Sequence, residues 1–153
     1  MYPYNGGNMP KYGRKSLEKL NTCHPDIQKV FNEVIKHWDC SILEGVRSKE
    51  RQEQLYNEKR SKVQWPNSKH NVLNPSDLSN AVDAVPYPIV WPDKKNRPQE
   101  YTKDMGRLYA FVGFVLGVAN HMGIELRCGA DWDGDHDFKD QNFDDLPHFE
   151  LKV

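Results

Sequence analysis

Two histidines and two aspartates carry the clearest chemical signal in this chain of 153 residues. His70 ends a Ser-Lys-His run, Asp83 lies inside the apolar segment Ala-Val-Asp-Ala-Val, and Asp145 stands three positions before His148. A catalytic zinc site needs three protein ligands, an open position for water and a carboxylate that can take a proton. The residue types therefore supply the inventory of such a site, with His70, Asp83 and His148 as candidate ligands and Asp145 as a candidate base.

The surroundings of two of these residues sharpen the prediction. Burying a carboxylate without a partner is costly, so Asp83 within an apolar run requires a metal ion or another cation facing it. Residues two apart in a strand share one face, so Glu150 is expected beside His148, with Phe149 turned towards the core. The alternative is that Asp83 caps a turn or pairs with an arginine, and that both histidines are ordinary surface groups.

The elements that must position these residues follow from apolar periodicity and from helix and strand breakers. Pro25 and Asp26 suit the start of a helix, and Gly123 suits the end of another. We predict helices over 25–38, 49–60 and 104–122, strands over 41–44, 81–85, 124–128 and 148–153, a loosely structured lead-in over 1–15, and a loop over 63–79. This order indicates an α+β fold, with helices packed on a small, mostly antiparallel sheet, in one catalytic domain spanning residues 1–153.

The charge of the chain is balanced overall and uneven locally. Its 21 basic and 22 acidic residues suggest neither nucleic acid nor a membrane surface as a partner, whereas residues 131–153 hold eight acidic residues against two lysines. Aspartates at alternate positions in this region, at Asp131, Asp133, Asp135 and Asp137, offer the oxygen density that calcium prefers. The spacing is not that of an EF-hand loop, so calcium and a solvated acidic loop both stand as interpretations.

Cysteine usage and hydropathy bear on the compartment. Three cysteines are too few and too odd in number for a disulfide framework, and the first residues lack the regions of a secretory signal. The most apolar stretch, residues 108–122, is shorter than the roughly 20 residues that span a bilayer. We therefore expect synthesis in a reducing compartment, a buried helix at 108–122 and no membrane insertion. We also expect a monomer, although cysteine usage and hydropathy do not bear on the oligomeric state.

Three short motifs together resemble those of one peptidase family. Ser68-x-His70, Ala81-x-Asp83 and Asp145-x-x-His148-x-Glu150 are similar to the motifs of zinc D-alanyl-D-alanine carboxypeptidases and phage L-alanyl-D-glutamate endopeptidases. The segments 44–48 and 127–132 also resemble family segments, and the likeness runs in order over about residues 25–153. The resemblance is greatest to the single-domain phage lysis enzymes called endolysins, and it implies the Hedgehog/D-alanyl-D-alanine peptidase fold with zinc bound on the sheet.

The resemblance also implies roles for individual residues. The zinc ligands would be His70, Asp83 and His148, and the general base would be Asp145. Arg47 would stabilise the developing oxyanion or position the scissile carbonyl, although a surface salt bridge with Glu44 or Glu50 is its alternative. Ser68 and Glu150 would support the ligands from behind, and the acidic region 131–137 is one through which some phage relatives bind calcium.

This sequence departs from the family pattern between the first two ligands. Twelve residues separate His70 from Asp83, where the family usually has six, and Ser79 stands where the family often has glycine. We therefore expect a loop lengthened over residues 71–80, which would reshape the rim of the cleft. Asp144 is a rival for the role of base, though the three-residue spacing to His148 favours Asp145.

The function implied by the resemblance is a zinc-dependent peptidase that cleaves peptidoglycan stem peptides between L-alanine and D-glutamate. As a phage endolysin, it would be made in the host cytoplasm and would reach the cell wall through a membrane pore. Two alternatives stay open: a D-alanyl-D-alanine carboxypeptidase, and a zinc-stabilised binding domain of the same fold that does not catalyse. An acid at position 145 counts against the second.

Overall fold

The computed structural model of the chain describes residues 7, 9–139 and 145–153. Within these ranges the chain forms four helices and four strands. In chain order they are α1 (Arg14–Leu20), α2 (Pro25–His37), β1 (Cys40–Glu44), α3 (Lys49–Asn57), β2 (Ala81–Pro86), α4 (Tyr101–His121), β3 (Leu126–Gly129) and β4 (Asp145–Leu151).

The four strands form one sheet in the order β1-β2-β4-β3, and every neighbouring pair is antiparallel. Helix α4 packs against α2 and against β2, β3 and β4, while α1 lies against β1. The core between the helices and the sheet is apolar and includes the fully buried rings of Phe31, Phe111 and Phe149. The predicted α+β class with a small antiparallel sheet is confirmed.

The register of the sheet brings residues from distant parts of the sequence side by side. In the β2–β4 pair, Asp83 lies directly opposite His148, and Val82 lies opposite Phe149. Because side chains alternate along a strand, His148 and Glu150 share one face of β4, and Phe149 enters the core on the other. A pairing of two central strands therefore fixes two of the three expected metal ligands.

Helices α2 and α4 form largely where the sequence predicts them. Pro25 occupies the first turn of α2, and the His24 side chain accepts the Asp26 backbone N–H. Helix α4 begins at Tyr101, three residues earlier than predicted, and the chain leaves it through Gly123, whose φ is +70°. That left-handed conformation favours glycine and suits the end of a helix. Among the described residues, no helix is both long enough and apolar enough to cross a membrane.

Helix α3 ends at Asn57, so the prediction that it continues to Arg60 is wrong. Lys59 adopts a left-handed φ of 58°, the Lys59 N–H bonds to the Tyr56 carbonyl, and the Arg60 N–H bonds to the Leu55 carbonyl. These paired bonds close a Schellman motif, which satisfies the last carbonyls of the helix and turns the chain away from it. Arg60 therefore lies outside the helix, in the loop that follows α3.

Three other boundaries differ from expectation. Helix α1 starts at Arg14, inside the stretch expected to be a loose lead-in. Strand β3 runs two residues later at its start than predicted, from Leu126. Strand β4 begins at Asp145, three residues before the predicted start, so this aspartate belongs to the sheet rather than to the preceding loop.

Candidate metal centre

The donor atoms of His70, Asp83 and His148 meet at one point beside the sheet. His70 Nε2 lies 3.1 Å from Asp83 Oδ1 and 3.2 Å from His148 Nδ1, and His148 Nδ1 lies 3.2 Å from Asp83 Oδ1. Ligand atoms about 2.0–2.1 Å from a tetrahedral zinc ion are roughly 3.3–3.4 Å apart. The nearly equilateral triangle therefore matches one face of such a tetrahedron.

Hydrogen bonds on the far side of the two imidazoles determine the tautomer of each ring. His70 Nδ1 lies 2.7 Å from the Gly45 carbonyl oxygen, and His148 Nε2 lies 2.8 Å from a Glu150 carboxylate oxygen. A carbonyl and a carboxylate only accept, so each of these nitrogens carries its proton. In the neutral rings the opposite nitrogens, His70 Nε2 and His148 Nδ1, then hold lone pairs, and these two lone pairs converge with the Asp83 carboxylate oxygen. Only a cation stabilises that convergence.

The pKa values of the cluster follow from this arrangement. Burial alone would raise the pKa of Asp83, but the charges and hydrogen bonds of His70 and His148 outweigh it and hold that pKa far below the ordinary value. Burial would lower the pKa of His148, but hydrogen bonds to Asp83 and Glu150 raise it to about 9. The site thus attracts positive charge strongly, either as a proton or as a metal ion. The donor set, geometry and charge all fit a divalent metal.

His70 is held by the loop that follows α3. The Arg47 N–H donates to the His70 carbonyl over 2.9 Å, and the His70 N–H donates to Ser68 Oγ over 3.2 Å. Gly45 must be glycine here because an added Cβ would overlap the Thr22 hydroxyl and the Lys19 carbonyl at the end of α1. The close approach of α1 therefore fixes the Gly45 carbonyl that orients the His70 ring.

Arg47 lies beside the cluster and is almost fully buried. Its Nη2 donates to Glu44 over 2.8 Å and lies 3.5 Å from Asp83 Oδ2, and its Nη1 donates to Gln52 over 3.0 Å. Arg47 does form the ion pair with Glu44 that was its alternative interpretation, but Arg47 is buried, Glu44 is partly buried, and the contacts of Arg47 extend to the expected metal ligand Asp83. Glu50 takes no part in this ion pair, and Gln52 is fully buried as the second partner.

Glu150 continues the network on the far side of His148. Its Oε1 accepts from Arg127 Nε over 2.8 Å and from Arg127 Nη2 over 2.5 Å, while its Oε2 faces His148. The Arg127 Nη1 donates to the Trp132 carbonyl over 2.6 Å. The Trp132 ring lies over His148, with ring centroids 5.4 Å apart. The ring plane of His148 is therefore constrained by a carboxylate on its edge and an indole on its face.

Asp145 lies where two cavities meet. The first, of about 690 Å³, is lined on the α1 and β1 side and is called the large cavity; the second, of about 320 Å³, is lined on the β3 and β4 side and is called the small cavity. Arg47, Arg60 and Asp145 line both. Burial and the charge of Asp83 raise the pKa of Asp145, against the opposing charges of His148, His70 and Arg47. Asp144 lies outside the described residues.

The acidic loop, residues 131–139, differs in part from its prediction. Oxygen atoms of Asp131, Asp133 and Asp135 lie within 4.8 Å of one another, whereas Asp137 is not in this group and instead accepts the Lys139 N–H. The Asp131 carboxylate is buried and accepts three backbone N–H groups, from Gly134, Asp135 and His136. Those bonds fold the loop by themselves, so calcium binding stays a prediction.

Comparison with known proteins places the chain in a family. The family model for the phage L-alanyl-D-glutamate peptidase matches residues 9–152. This chain belongs to that family. A curated relative, the L-alanyl-D-glutamate peptidase of Escherichia phage T5, is 25% identical over 136 residues, which make up 86% of this chain and 88% of the relative. The resemblance stated from the short motifs is confirmed.

A solved structure supports the same architecture. The L-Ala D-Glu endopeptidase ChiX of Serratia marcescens shares the fold with a TM-score of 0.64 at 23% identity, over 93% of this chain and 90% of that protein. The family member described here thus keeps the fold of an endopeptidase despite its longer segment between His70 and Asp83. Residues 71–80 do not appear among the described residues that line either cavity, and the expected reshaping of the rim stays a prediction.

Sequence reasoning missed several residues that shape the site. The Gly45 carbonyl and the Arg127 guanidinium act through contacts between distant segments, which no local motif encodes. Trp91 is half exposed and lines the large cavity. Its position in a loop rich in proline was a signal that it need not be core.

Proposed function

We propose that this chain is a zinc-dependent peptidase that cleaves the L-alanyl-D-glutamate bond in the stem peptides of bacterial peptidoglycan. The observation that carries the proposal is the convergence of three donor atoms at 3.1–3.2 Å, each oriented from behind. Membership of the phage L-alanyl-D-glutamate peptidase family supplies the bond, and the relative from phage T5 carries that activity in its name.

Zinc is the metal that suits this donor set best. Two imidazoles and one carboxylate are common protein ligands of catalytic zinc, and three protein ligands leave a fourth position open. A bound zinc ion would polarise the scissile carbonyl and lower the pKa of a water to near 7. The carboxylate behind His148 and the carbonyl behind His70 keep each ring in the tautomer that a metal requires.

Asp145 is the proposed general base. It borders both cavities beside the cluster, and burial raises its pKa above the ordinary value, which makes the carboxylate a better proton acceptor. In this role its carboxylate takes a proton from the attacking water and passes it to the nitrogen of the departing glutamate.

Arg47, Glu150 and Ser68 support this chemistry in different ways. The Arg47 guanidinium lines both cavities and carries its charge beside Asp83, where it stabilises negative charge developing on the carbonyl oxygen. Glu150 orients the His148 ring, and the Ser68 hydroxyl accepts the His70 N–H and so fixes the loop that presents this ligand.

The phage origin of the curated relative supports a role in lysis of the host cell. In that setting the protein is a monomeric endolysin made in the host cytoplasm, acting on peptidoglycan after passage through a membrane pore, and needing neither nucleic acid nor insertion into a membrane. Gel filtration with light scattering tests the monomer.

Mass spectrometry of products from purified peptidoglycan tests the proposed activity. We expect new L-alanine C-termini and new D-glutamate N-termini, and no products after treatment with a strong chelator. Release of free D-alanine would instead assign a carboxypeptidase. Intact peptidoglycan after incubation with zinc-loaded protein would indicate a binding domain that does not catalyse.

A further inference from the structure

We propose that Arg60 binds the free carboxylate of the glutamate on the amine side of the cleaved bond, and that the small cavity holds this side of the substrate. The inference rests on the proposed function, and it names the side chain that recognises the charged group of the substrate. It also fixes the direction in which the peptide lies across the cleft.

The substrate carries a negative charge close to the reacting atoms. The nitrogen of the cleaved amide belongs to glutamate. Glutamate has two carboxyl groups, and the peptide continues through only one of them. The other remains an ionised carboxylate at neutral pH, because its pKa is near 4. A cation that binds this carboxylate must lie near the junction of the two cavities, where Asp145 and the metal ligands are found.

The two cavities differ in charge, and this difference selects the small one. Five basic residues and two acidic residues line the small cavity, whereas four of each line the large cavity. Lys62 and Lys69 border the small cavity only. The field of the small cavity is therefore the more attractive to an anionic glutamate.

Among the arginines at the small cavity, Arg60 is the one available to a ligand. Arg47 is buried, pairs with Glu44, Asp83 and Gln52, and is assigned to the carbonyl oxygen of the cleaved bond, while Arg127 is committed to Glu150 and to the Trp132 carbonyl. The side chain of Arg60 is 61% exposed, and its Nη1 lies 3.3 Å from the exposed Glu58 carboxylate. A guanidinium pairs with a carboxylate in bidentate fashion, which suits recognition of this group.

The end of α3 explains why Arg60 is in this place. The left-handed turn at Lys59 directs the chain out of the helix, and the Arg60 N–H is fixed on the Leu55 carbonyl at 2.8 Å. The backbone of Arg60 is thus anchored while its side chain stays exposed at the border of both cavities. Such an anchored, exposed cation is suited to binding.

The test uses two synthetic stem peptides that differ in one group: D-glutamate with its free carboxylate, and the same residue with that carboxylate converted to an amide. The zinc-loaded wild-type protein is expected to cleave the acid with a KM about tenfold lower than that of the amide. Arg60→Gln should raise KM for the acid about tenfold, leave KM for the amide unchanged, and leave kcat nearly unchanged. Arg60→Lys should recover part of the preference.

Arg51→Gln is the matched control, because Arg51 lines the large cavity and not the small one. It should leave the ratio of the two KM values as in the wild type. Equal KM values for both peptides in the wild type, equal increases for both in Arg60→Gln, or a selective loss in Arg51→Gln would each overturn the proposal. Failure of the wild type to cleave either peptide would overturn the proposed function itself.

Discussion

The metal cluster and the acidic loop each bring side chains with metal-binding atoms within 4.8 Å of one another, yet the two groups differ in burial and in what the carboxylates contact. In the cluster, Asp83 and His148 are cross-strand neighbours, are largely buried, and point their donor atoms at one another. In the acidic loop, Asp131 turns its carboxylate towards backbone N–H groups of its own segment, while Asp133 and Asp135 are exposed.

This difference distinguishes a site that requires a bound cation from a segment that is only rich in acidic residues. Convergent lone pairs in a buried site are unfavourable until a cation binds, because the acceptor atoms face one another and repel. Exposed carboxylates are solvated, and a buried carboxylate bonded to three amides is already stabilised. The cluster should therefore depend on its metal for activity, and the loop should gain at most stability from one.

Removal of a cluster histidine is expected to have the largest effect. His148→Ala and His70→Ala should lower zinc content from about one ion per chain to nearly none and abolish turnover, because two ligands do not retain the metal. His136→Asn in the acidic loop is the matched control and should keep both. Elemental analysis with the peptidoglycan assay measures this, and full zinc in both alanine variants would disprove the ligand assignment.

Asp145→Asn should separate chemistry from metal binding. The variant should keep its zinc and its melting temperature, while kcat falls by about 10²–10⁴-fold, the usual range for general acid–base catalysis. Asp144→Ala should be much milder. An active Asp145→Asn beside an inactive Asp144→Ala would mean that the base is the wrong aspartate, and full activity in both would make Glu150 the leading candidate.

Glu150→Gln should weaken the site without removing a ligand. The amide cannot accept from both Arg127 and His148 as the carboxylate does, so zinc affinity or activity should fall by about 10–100-fold. Competition with a chromophoric chelator measures the affinity. Glu125→Gln, on an exposed residue just before β3, is the control. Equal affinity in the two variants would show that Glu150 does not tune His148.

Calcium should produce the smallest change, and only in the loop. If calcium binds at Asp131, Asp133 and Asp135, a hundredfold excess over its Kd would add about 2.7 kcal/mol and raise the melting temperature by roughly 5–10 °C. Asp133→Asn should remove that shift, and Asp137→Asn should not, because Asp137 is outside the group. An unchanged melting temperature in millimolar calcium, with zinc saturated, would exclude calcium binding and support the interpretation of a solvated acidic loop.

Much of the fold was predictable because local signals and tertiary packing agree. Helix α2 has proline in its first turn and a regular apolar stripe, and β2 is a short apolar run that ends at Pro86. Helix α1 was missed because its seven residues bury only Leu20, which leaves almost no periodic signal. The end of α3 was missed because Lys59 adopts a left-handed conformation, which a lysine in the sequence does not predict.

The site was less accessible to sequence reasoning alone. The residue types of His70, Asp83 and His148 suggested a metal, but only the family resemblance joined positions so far apart. The register that sets Asp83 opposite His148 is a property of strand pairing, which spacing along the chain does not encode. The same holds for Arg127, which reaches Glu150 because β3 and β4 are neighbours.

X-ray absorption at the zinc edge of the purified wild-type protein tests the central claim most directly. We predict about one zinc ion per chain, bound only by nitrogen and oxygen at about 2.0–2.1 Å, with the scattering pattern of two imidazoles. His148→Ala should remove that signal. Sulfur at about 2.3 Å would move the metal to the buried cysteines, and a protein free of zinc after exposure to it would contradict the account.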